Sequence, residues 1–247
     1  MIKPMRLFGL IGYPLTHSFS KKYFTEKFEK ENLRDCRYEN FEIETIDLLP
    51  QITLYKEELE GLNVTIPYKE RVIKFLDDSN ELVKETGACN CIRIENGKQI
   101  GYNTDVIAFE RSLLPKLQPI HTAALILGTG GAAKAVQFVL KKMGINYQLV
   151  SRNPAVDQLS YSQVNSSVIQ THHLIINTTP VGLYPNVSDA PPLSYDAITP
   201  NHFLFDLIYN PEKTLFLQEG EKRGAVVQNG YDMLVYQAEE SWKIWNQ

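Results

Sequence analysis

Nothing in this 247-residue sequence approaches the ~20 consecutive apolar residues that a bilayer-spanning helix needs. Positive charge is not in excess either. The 25 Lys and Arg against 29 Asp and Glu leave a formal net charge of −4, which argues against nucleic acid or an anionic membrane as the main partner. Cysteine is scarce: three residues, an odd number, do not suggest a secreted disulfide framework. Cys89 and Cys91 read instead as small buried apolar side chains sharing one face of a strand. The five histidines supply no ligand spacing, so no metal is expected. Met1-Ile2-Lys3-Pro4-Met5-Arg6 leads straight into a strand-like run rather than a signal-peptide core. A cytoplasmic, metal-free protein is the expectation. At 43% hydrophobic residues it can bury a substantial core as one large or two modest domains.

Strand-like and helix-like segments alternate throughout, the pattern of an α/β protein with a largely parallel sheet. Strands are expected over 6–12, 37–43, 59–64, 88–95 and 98–102. The last two flank Asn96-Gly97, a dipeptide suited to tight hairpins because both residues tolerate positive φ. Helices are expected over 21–31, 71–76 and 104–114. A second series follows: a strand over 123–127, a helix over 132–143 stopped by Gly144, and a strand over 147–150. Further short strands at 174–177, 203–206 and 225–227 precede a closing helix over 231–245. The Pro-rich stretch 180–200 is long for a loop and is expected to wrap a surface or border a site. Two α/β domains meeting at a cleft is the simplest arrangement.

Gly128-Thr129-Gly130-Gly131-Ala132-Ala133 sits directly after an apolar strand and opens a helix, the context that turns a weak glycine pattern into a credible phosphate site. Gly128 permits the sharp turn, Gly130 lets backbone approach a pyrophosphate, and the helix N-terminus offers N–H groups and a positive dipole end. The next strand ends Ser151-Arg152-Asn153. A carboxylate there would bond the 2′-hydroxyl of NAD; its absence, with Arg152 able to cover a 2′-phosphate and Ser151 to add a hydroxyl, favours NADP.

Three further runs collect small polar residues. Asn63 and Thr65 lie two apart on an extended segment and project to one side, and Pro67 then stops the strand ahead of Lys69. Lys69 also fits a surface lysine, with Thr65 a cap. Asn103 and Asp105 are again two apart, with Asp105 in a first helical turn, where an acid also simply complements the helix dipole. Ser18 and Ser20 precede the first helix. Either suits an N-cap, and together they suit a carboxylate receptor. The joint occurrence of these runs with Asn90 and a nucleotide loop points to a dehydrogenase acting on a small polar molecule.

The ordered set resembles the shikimate dehydrogenase family over nearly the full length. The matching pieces are Ser18-x-Ser20, Asn63-Val64-Thr65-Ile66-Pro67-Tyr68-Lys69, Gly87-Ala88-Cys89-Asn90, Asn103-Thr104-Asp105 and the Gly128 loop. Ser151-Arg152-Asn153, Asn177 to Gly182, Asp206 to Pro211 and Asn229 to Gln237 continue the likeness. The resemblance implies an N-terminal substrate domain of residues 1–104 plus 230–247 and a Rossmann-like NADP-binding domain of residues 105–229. Ser18 and Ser20 would hold the substrate carboxylate. Asn63, Thr65, Asn90 and Gln237 would bind ring hydroxyls, with Tyr209 nearby. Lys69 and Asp105 would form the catalytic pair. Gly128, Thr129, Gly130, Gly131, Ala132, Ser151, Arg152, Asn153 and Thr178 would hold the cofactor, and Gly230 would lie beside its nicotinamide.

Departures leave the catalytic pair untouched and bear on the cofactor instead: Cys91 where Thr is usual, Val106 where Gly is common, Asn153 for Thr, and no second basic residue shortly after Arg152. The expected activity is NADPH-dependent reduction of 3-dehydroshikimate by a monomer or homodimer, with no nucleic acid or membrane partner. The rivals are a quinate or dual-specificity dehydrogenase using NAD and a non-catalytic metabolite-binding regulator of the same fold. Serine at both 18 and 20 favours shikimate over the bulkier quinate. Intact Lys69 and Asp105 speak against a regulator.

Overall fold

The computed structural model describes residues 4–15, 19–55 and 58–247, which fall into two compact units. The first holds residues up to Thr104 together with Ala238–Gln247; the second runs from Asp105 to Gln237.

In the first unit, β1 (Arg6–Gly12), α1 (Phe19–Lys30), β2 (Cys36–Glu42), α2 (Leu49–Tyr55) and β3 (Leu59–Val64) are followed by β4 (Asp78–Ser79), α3 (Glu81–Thr86), β5 (Cys91–Glu95) and β6 (Lys98–Tyr102). The six strands line up as β2-β1-β3-β5-β6-β4. β1 pairs in parallel with β2 and β3, and β4 with β6, while β5 runs antiparallel to both β3 and β6, so this sheet is mostly parallel with one reversed strand. The hairpin accounts for one of the two antiparallel pairings, β5 with β6. Asn96 and Gly97 both take positive φ (51° and 75°), which turns β5 back on itself as β6 with the hand that twisted strands prefer.

Aromatic packing anchors the chain's C-terminal segment here. Trp245 stacks on Phe8 with centroids 4.9 Å apart and donates its indole N–H to the Ile92 carbonyl at 3.0 Å. A Cβ at Gly61 would overlap that indole, so a strand glycine makes room for it. Each large aromatic buried this way removes enough apolar surface to contribute roughly 1.5–3 kcal/mol.

α4 (Thr104–Leu113) leads from one unit into the other. The second unit continues with β7 (Ala123–Leu127), α5 (Gly131–Lys142), β8 (Asn146–Ser151), β9 (Leu159–Ser160), α6 (Ser166–Thr171), β10 (Leu174–Asn177), β11 (Phe203–Asp206), α7 (Leu215–Glu221) and β12 (Val226–Gln228). α8 (Tyr231–Trp245) closes the chain and passes back to the first unit at Ala238. All pairings in this sheet are parallel, in the order β12-β11-β10-β7-β8-β9. Counted from β7 that is 6-5-4-1-2-3, the doubly wound order of a dinucleotide-binding fold, with its switch point between β7 and β10. The β7, β10 and β11 interiors are fully buried apolar runs, as strands covered on both faces must be.

Three expectations need correction. Ser20 lies inside α1, which begins at Phe19, and so does not cap it. The segment after Lys69 is a 3-10 helix over Arg71–Phe75 rather than an α-helix. β5 begins at Cys91, which leaves Cys89 and Asn90 in the connection before it.

Candidate active site

At the switch point the glycine loop turns the chain from β7 into α5. Gly128 has φ 107°, and a Cβ there would press on the Thr178 hydroxyl, so the position is closed to other residues on two grounds. The Thr178 hydroxyl and N–H both bond the Leu127 carbonyl, at 2.7 and 2.9 Å, which fixes the end of β10 beside the end of β7. The Gly128 N–H bonds Val150 at 2.8 Å, bringing Ser151, at the end of β8, to the same edge.

Gly130 is the N-cap of the twelve-residue α5 and supplies no side-chain cap, while Gly131 and Ala132 form its first turn. Nothing stands within 4 Å of a Cβ built at Gly130. Exposed Thr129, a side-chain-free cap and open space at a helix N-terminus fit a pyrophosphate. Ser151 accepts the Asn153 N–H at 3.2 Å and so shapes the turn that presents exposed Arg152.

Elsewhere in this unit Gly230 hydrogen-bonds the Ile208 carbonyl at 3.0 Å, and a Cβ on it would collide with the Leu207 carbonyl. Backbone contact therefore dictates glycine. Half-buried Tyr209 follows Ile208 directly, and burial raises its phenol pKa. The loop carrying it hangs from Asp206. That buried carboxylate accepts Asn177 and the Ile208 N–H at 3.0 Å and the Thr214 hydroxyl at 2.6 Å. Desolvation outweighs these bonds and pushes its pKa up to about 7. Gln237, buried on α8, donates to the Leu234 carbonyl at 2.9 Å.

In the first unit the small polar residues join into a buried network. The Tyr38 phenol donates to Asn63 Oδ1 at 2.8 Å. Asn63 Nδ2 donates to Ser241 Oγ at 2.9 Å, and Ser241 Oγ lies 3.4 Å from Thr104 Oγ1. Asn90 completes the chain: its Nδ2 donates to Thr104 Oγ1 at 2.9 Å, and its Oδ1 accepts the Thr104 N–H at 2.7 Å. Asn103 is fixed by the Thr86 hydroxyl and the Ala88 carbonyl, each at 3.0 Å. Asp105 follows in the first turn of α4, buried.

Thr65 lies one residue beyond β3, where its N–H bonds Ile11 at 3.0 Å and its carbonyl accepts Tyr68 at 2.9 Å. Buried Tyr68 anchors this turn through its hydroxyl on Ile43, at 2.6 Å. Lys69 comes next, half-buried, with its carbonyl accepting the Cys89 N–H at 2.7 Å. Through backbone alone, Lys69 is tied to the residue preceding Asn90.

Asn63 and Asn90 are thus brought into one network and Ser20 is buried on α1, whereas Ser18 lies outside the described residues. Tyr38, Thr104 and Ser241 were not singled out as functional from sequence. Ser241 carried a usable signal, since it falls three residues after Ala238 and four before Trp245 on the apolar face of α8. A serine there needs a partner.

Comparison with known proteins agrees with this geometry. The family model for the shikimate dehydrogenase substrate binding domain matches residues 10–92. A Staphylococcus aureus (strain Newman) protein named shikimate dehydrogenase (NADP(+)) is 38% identical over 96% of this chain and 91% of its own length. A protein of the same name from Methanococcus maripaludis is 37% identical over 97% and 91%. The crystal structure of Thermus thermophilus shikimate 5-dehydrogenase in complex with NADP(H) and shikimate superposes with a TM-score of 0.86 at 29% identity, covering 98% of this chain and 93% of that one. The chain belongs to the shikimate dehydrogenase family.

Proposed function

We propose that this chain is an NADP-dependent shikimate dehydrogenase, an oxidoreductase acting on a CH–OH group. It reversibly reduces 3-dehydroshikimate to shikimate, a step of chorismate and aromatic amino-acid biosynthesis in the cytoplasm. One observation carries this function: a single chain joins an uncapped helix N-terminus at a doubly wound switch point to a buried row of Ser, Asn and Thr side chains suited to a polyhydroxy acid.

The bound cofactor supplies the hydride and takes it back in the reverse direction. Gly128, Thr129, Gly130, Gly131 and Ala132 hold its pyrophosphate, with Thr178 bracing the loop. Ser151, Arg152 and Asn153 hold the 2′-phosphate, and Gly230 borders the nicotinamide. Ser18 and Ser20 take the substrate carboxylate. Asn63, Thr65, Asn90, Tyr209 and Gln237 orient the ring. Lys69 stabilises the oxygen that becomes an alkoxide and donates the proton it needs, and Asp105 orients or relays that proton. Such general acid help is typically worth ~10²–10⁴-fold.

An absorbance assay at 340 nm of the purified protein with shikimate or quinate, each with NADP+ or NAD+, tests this. Turnover should be fastest for shikimate with NADP+. Silence in all four mixtures would remove the enzymatic function, and a preference for quinate with NAD+ would reassign it.

A further inference from the structure

We propose that Asp206 is a positioning residue for the nicotinamide end of the cofactor: by closing the loop between β11 and α7 on its own carboxylate, it fixes where the Gly230 backbone lies. This deepens the functional reading above, in which Gly230 borders the nicotinamide, and rests on it.

Asp206 is the last residue of β11 and is fully buried. The chain that leaves it comes back to it. The Ile208 N–H donates to its Oδ1 at 3.0 Å, and the buried Thr214 hydroxyl, at the N-cap of α7, donates to its Oδ2 at 2.6 Å. Asn177 Nδ2, at the end of β10, shares Oδ1 at 3.0 Å and holds the carboxylate from the neighbouring strand. Both oxygens are engaged by donors from separate segments, as a buried carboxylate requires.

The ladder between β11 and β12 ends where Phe205 faces Gln228, so Asn229 and Gly230 lie beyond it. There the loop takes over. Asn229 Nδ2 donates to the Glu212 carbonyl at 2.8 Å, and the Gly230 N–H donates to the Ile208 carbonyl at 3.0 Å. One residue, Ile208, therefore has its N–H on Asp206 and its carbonyl on Gly230. A glycine has only backbone to offer a ligand, so it cannot make up a displacement by turning a side chain. The Gly128 loop and the turn after Ser151 follow β7 and β8, on the far side of β10 from β11. Loosening the 206–214 loop should accordingly harm one end of the cofactor and spare the other.

The test measures binding to the whole protein, without shikimate, of two probes: NADP+ and adenosine 2′,5′-bisphosphate, which has the 2′-phosphate and no nicotinamide. The variants are Asp206→Ala, Thr214→Val, Thr214→Ser and the Asp206→Ala/Thr214→Val pair, with thermal unfolding followed in parallel. Asp206→Ala should raise Kd for NADP+ roughly tenfold and Thr214→Val roughly fivefold, about the size of a lost buried hydrogen bond. Kd for the bisphosphate should stay within about twofold in both. Thr214→Ser keeps the hydroxyl and should restore NADP+ binding. Added to Asp206→Ala, Thr214→Val should cost less than about twofold more, because the carboxylate it acts through is gone.

Equal losses for the two probes overturn the proposal, since they mark a general structural role. So does NADP+ affinity within about twofold of the natural protein in Asp206→Ala, or an undiminished Thr214→Val effect in that background. Should Asp206→Ala fail to fold, Thr214→Val decides the matter: NADP+ binding within about twofold of natural, or a loss that Thr214→Ser does not reverse, overturns it. Failure of the unmodified protein to bind NADP+ is a different result, which removes the functional reading and this inference with it.

Discussion

The side chain of Asn90 grips the first residue of α4 at both of its polar groups, accepting the Thr104 N–H at 2.7 Å and donating to the Thr104 hydroxyl at 2.9 Å. Asn90 is itself fixed between strands, its N–H on Tyr102 at 3.1 Å and its carbonyl on Val64 at 2.9 Å. The start of α4 is held by a side chain from the connection ahead of β5. Asn90→Ala removes the acceptor of a buried N–H, which costs ~1–3 kcal/mol. Urea unfolding should show that loss, and kcat should fall with it. Wild-type stability in this variant would mean that α4 is held by other contacts.

Lys69→Ala and Asp105→Asn address the chemistry itself. Each should lower kcat by ~10²–10⁴-fold and change KM for shikimate far less, because a group acting on developing charge is needed more in the transition state than in binding. Steady-state kinetics at saturating NADP+ measures both constants. Unchanged kcat in the lysine variant would exclude that residue from proton transfer.

Much of this was legible in the sequence, and what was not has definite physical reasons. The strand–glycine–helix element at 123–142 could be read because its signal is local, an apolar run followed by a turn that only glycine permits. The Asn96-Gly97 hairpin was local too. α3 and α7 escaped because six or seven residues are too few to display a helical period, although their caps were present: Asn80 accepting Val83, and Thr214 accepting Leu217. The mixed pairing of the first sheet depends on which strands become neighbours, a tertiary matter. Tyr38 and Ser241 entered the site for the same reason. They stand far from the motif residues in sequence and meet them only across β1, β3 and α8.

His121 and His202 lie buried just ahead of β7 and β11, and both use Nδ1 as an acceptor. His121 takes the Gln118 N–H at 2.9 Å and His202 the Thr199 N–H at 3.0 Å. Protonation at Nδ1 would set an N–H against an N–H. Burial lowers both pKa values below the ordinary 6.5. A depressed histidine pKa means that the unfolded chain binds more protons, so the stability these groups confer is present above about pH 6.5 and is lost as pH falls below it. Urea midpoints should decline from pH 7 towards pH 5, and His202→Gln should flatten the decline. A slope unchanged by the substitution would assign the acid sensitivity elsewhere.

Asp206 predicts the opposite slope. Its folded pKa stands near 7 against an ordinary 3.8, so the folded state holds a proton that the unfolded chain has lost. The protonated form's stabilising contribution is therefore complete below about pH 4, shrinks as pH rises through 7 and is absent above. Asp206→Asn keeps the size of the group without the buried charge. Its stability should not show this loss, and above pH 7 it should match or exceed the natural sequence. A variant that unfolds more readily than the natural protein at pH 8 would show that the ionised carboxylate, with its three donors, is the favoured form.

Gly128 and Gly130 separate backbone need from ligand need within one loop. At Gly128 a Cβ meets φ 107° and the Thr178 hydroxyl, so Gly128→Ala should cost ~1–3 kcal/mol in unfolding free energy as well as activity. At Gly130 the backbone is extended, with φ −81°, and a Cβ meets nothing, so Gly130→Ala should unfold like the natural protein. The methyl group would instead stand where a pyrophosphate must approach the α5 N-terminus. KM for NADP+ should rise while KM for shikimate, measured at saturating cofactor, stays within about twofold, one methyl group being worth ~1 kcal/mol where close approach is needed. Normal NADP+ affinity in Gly130→Ala would place the phosphates away from this helix end and leave its open N-terminus without a role in binding.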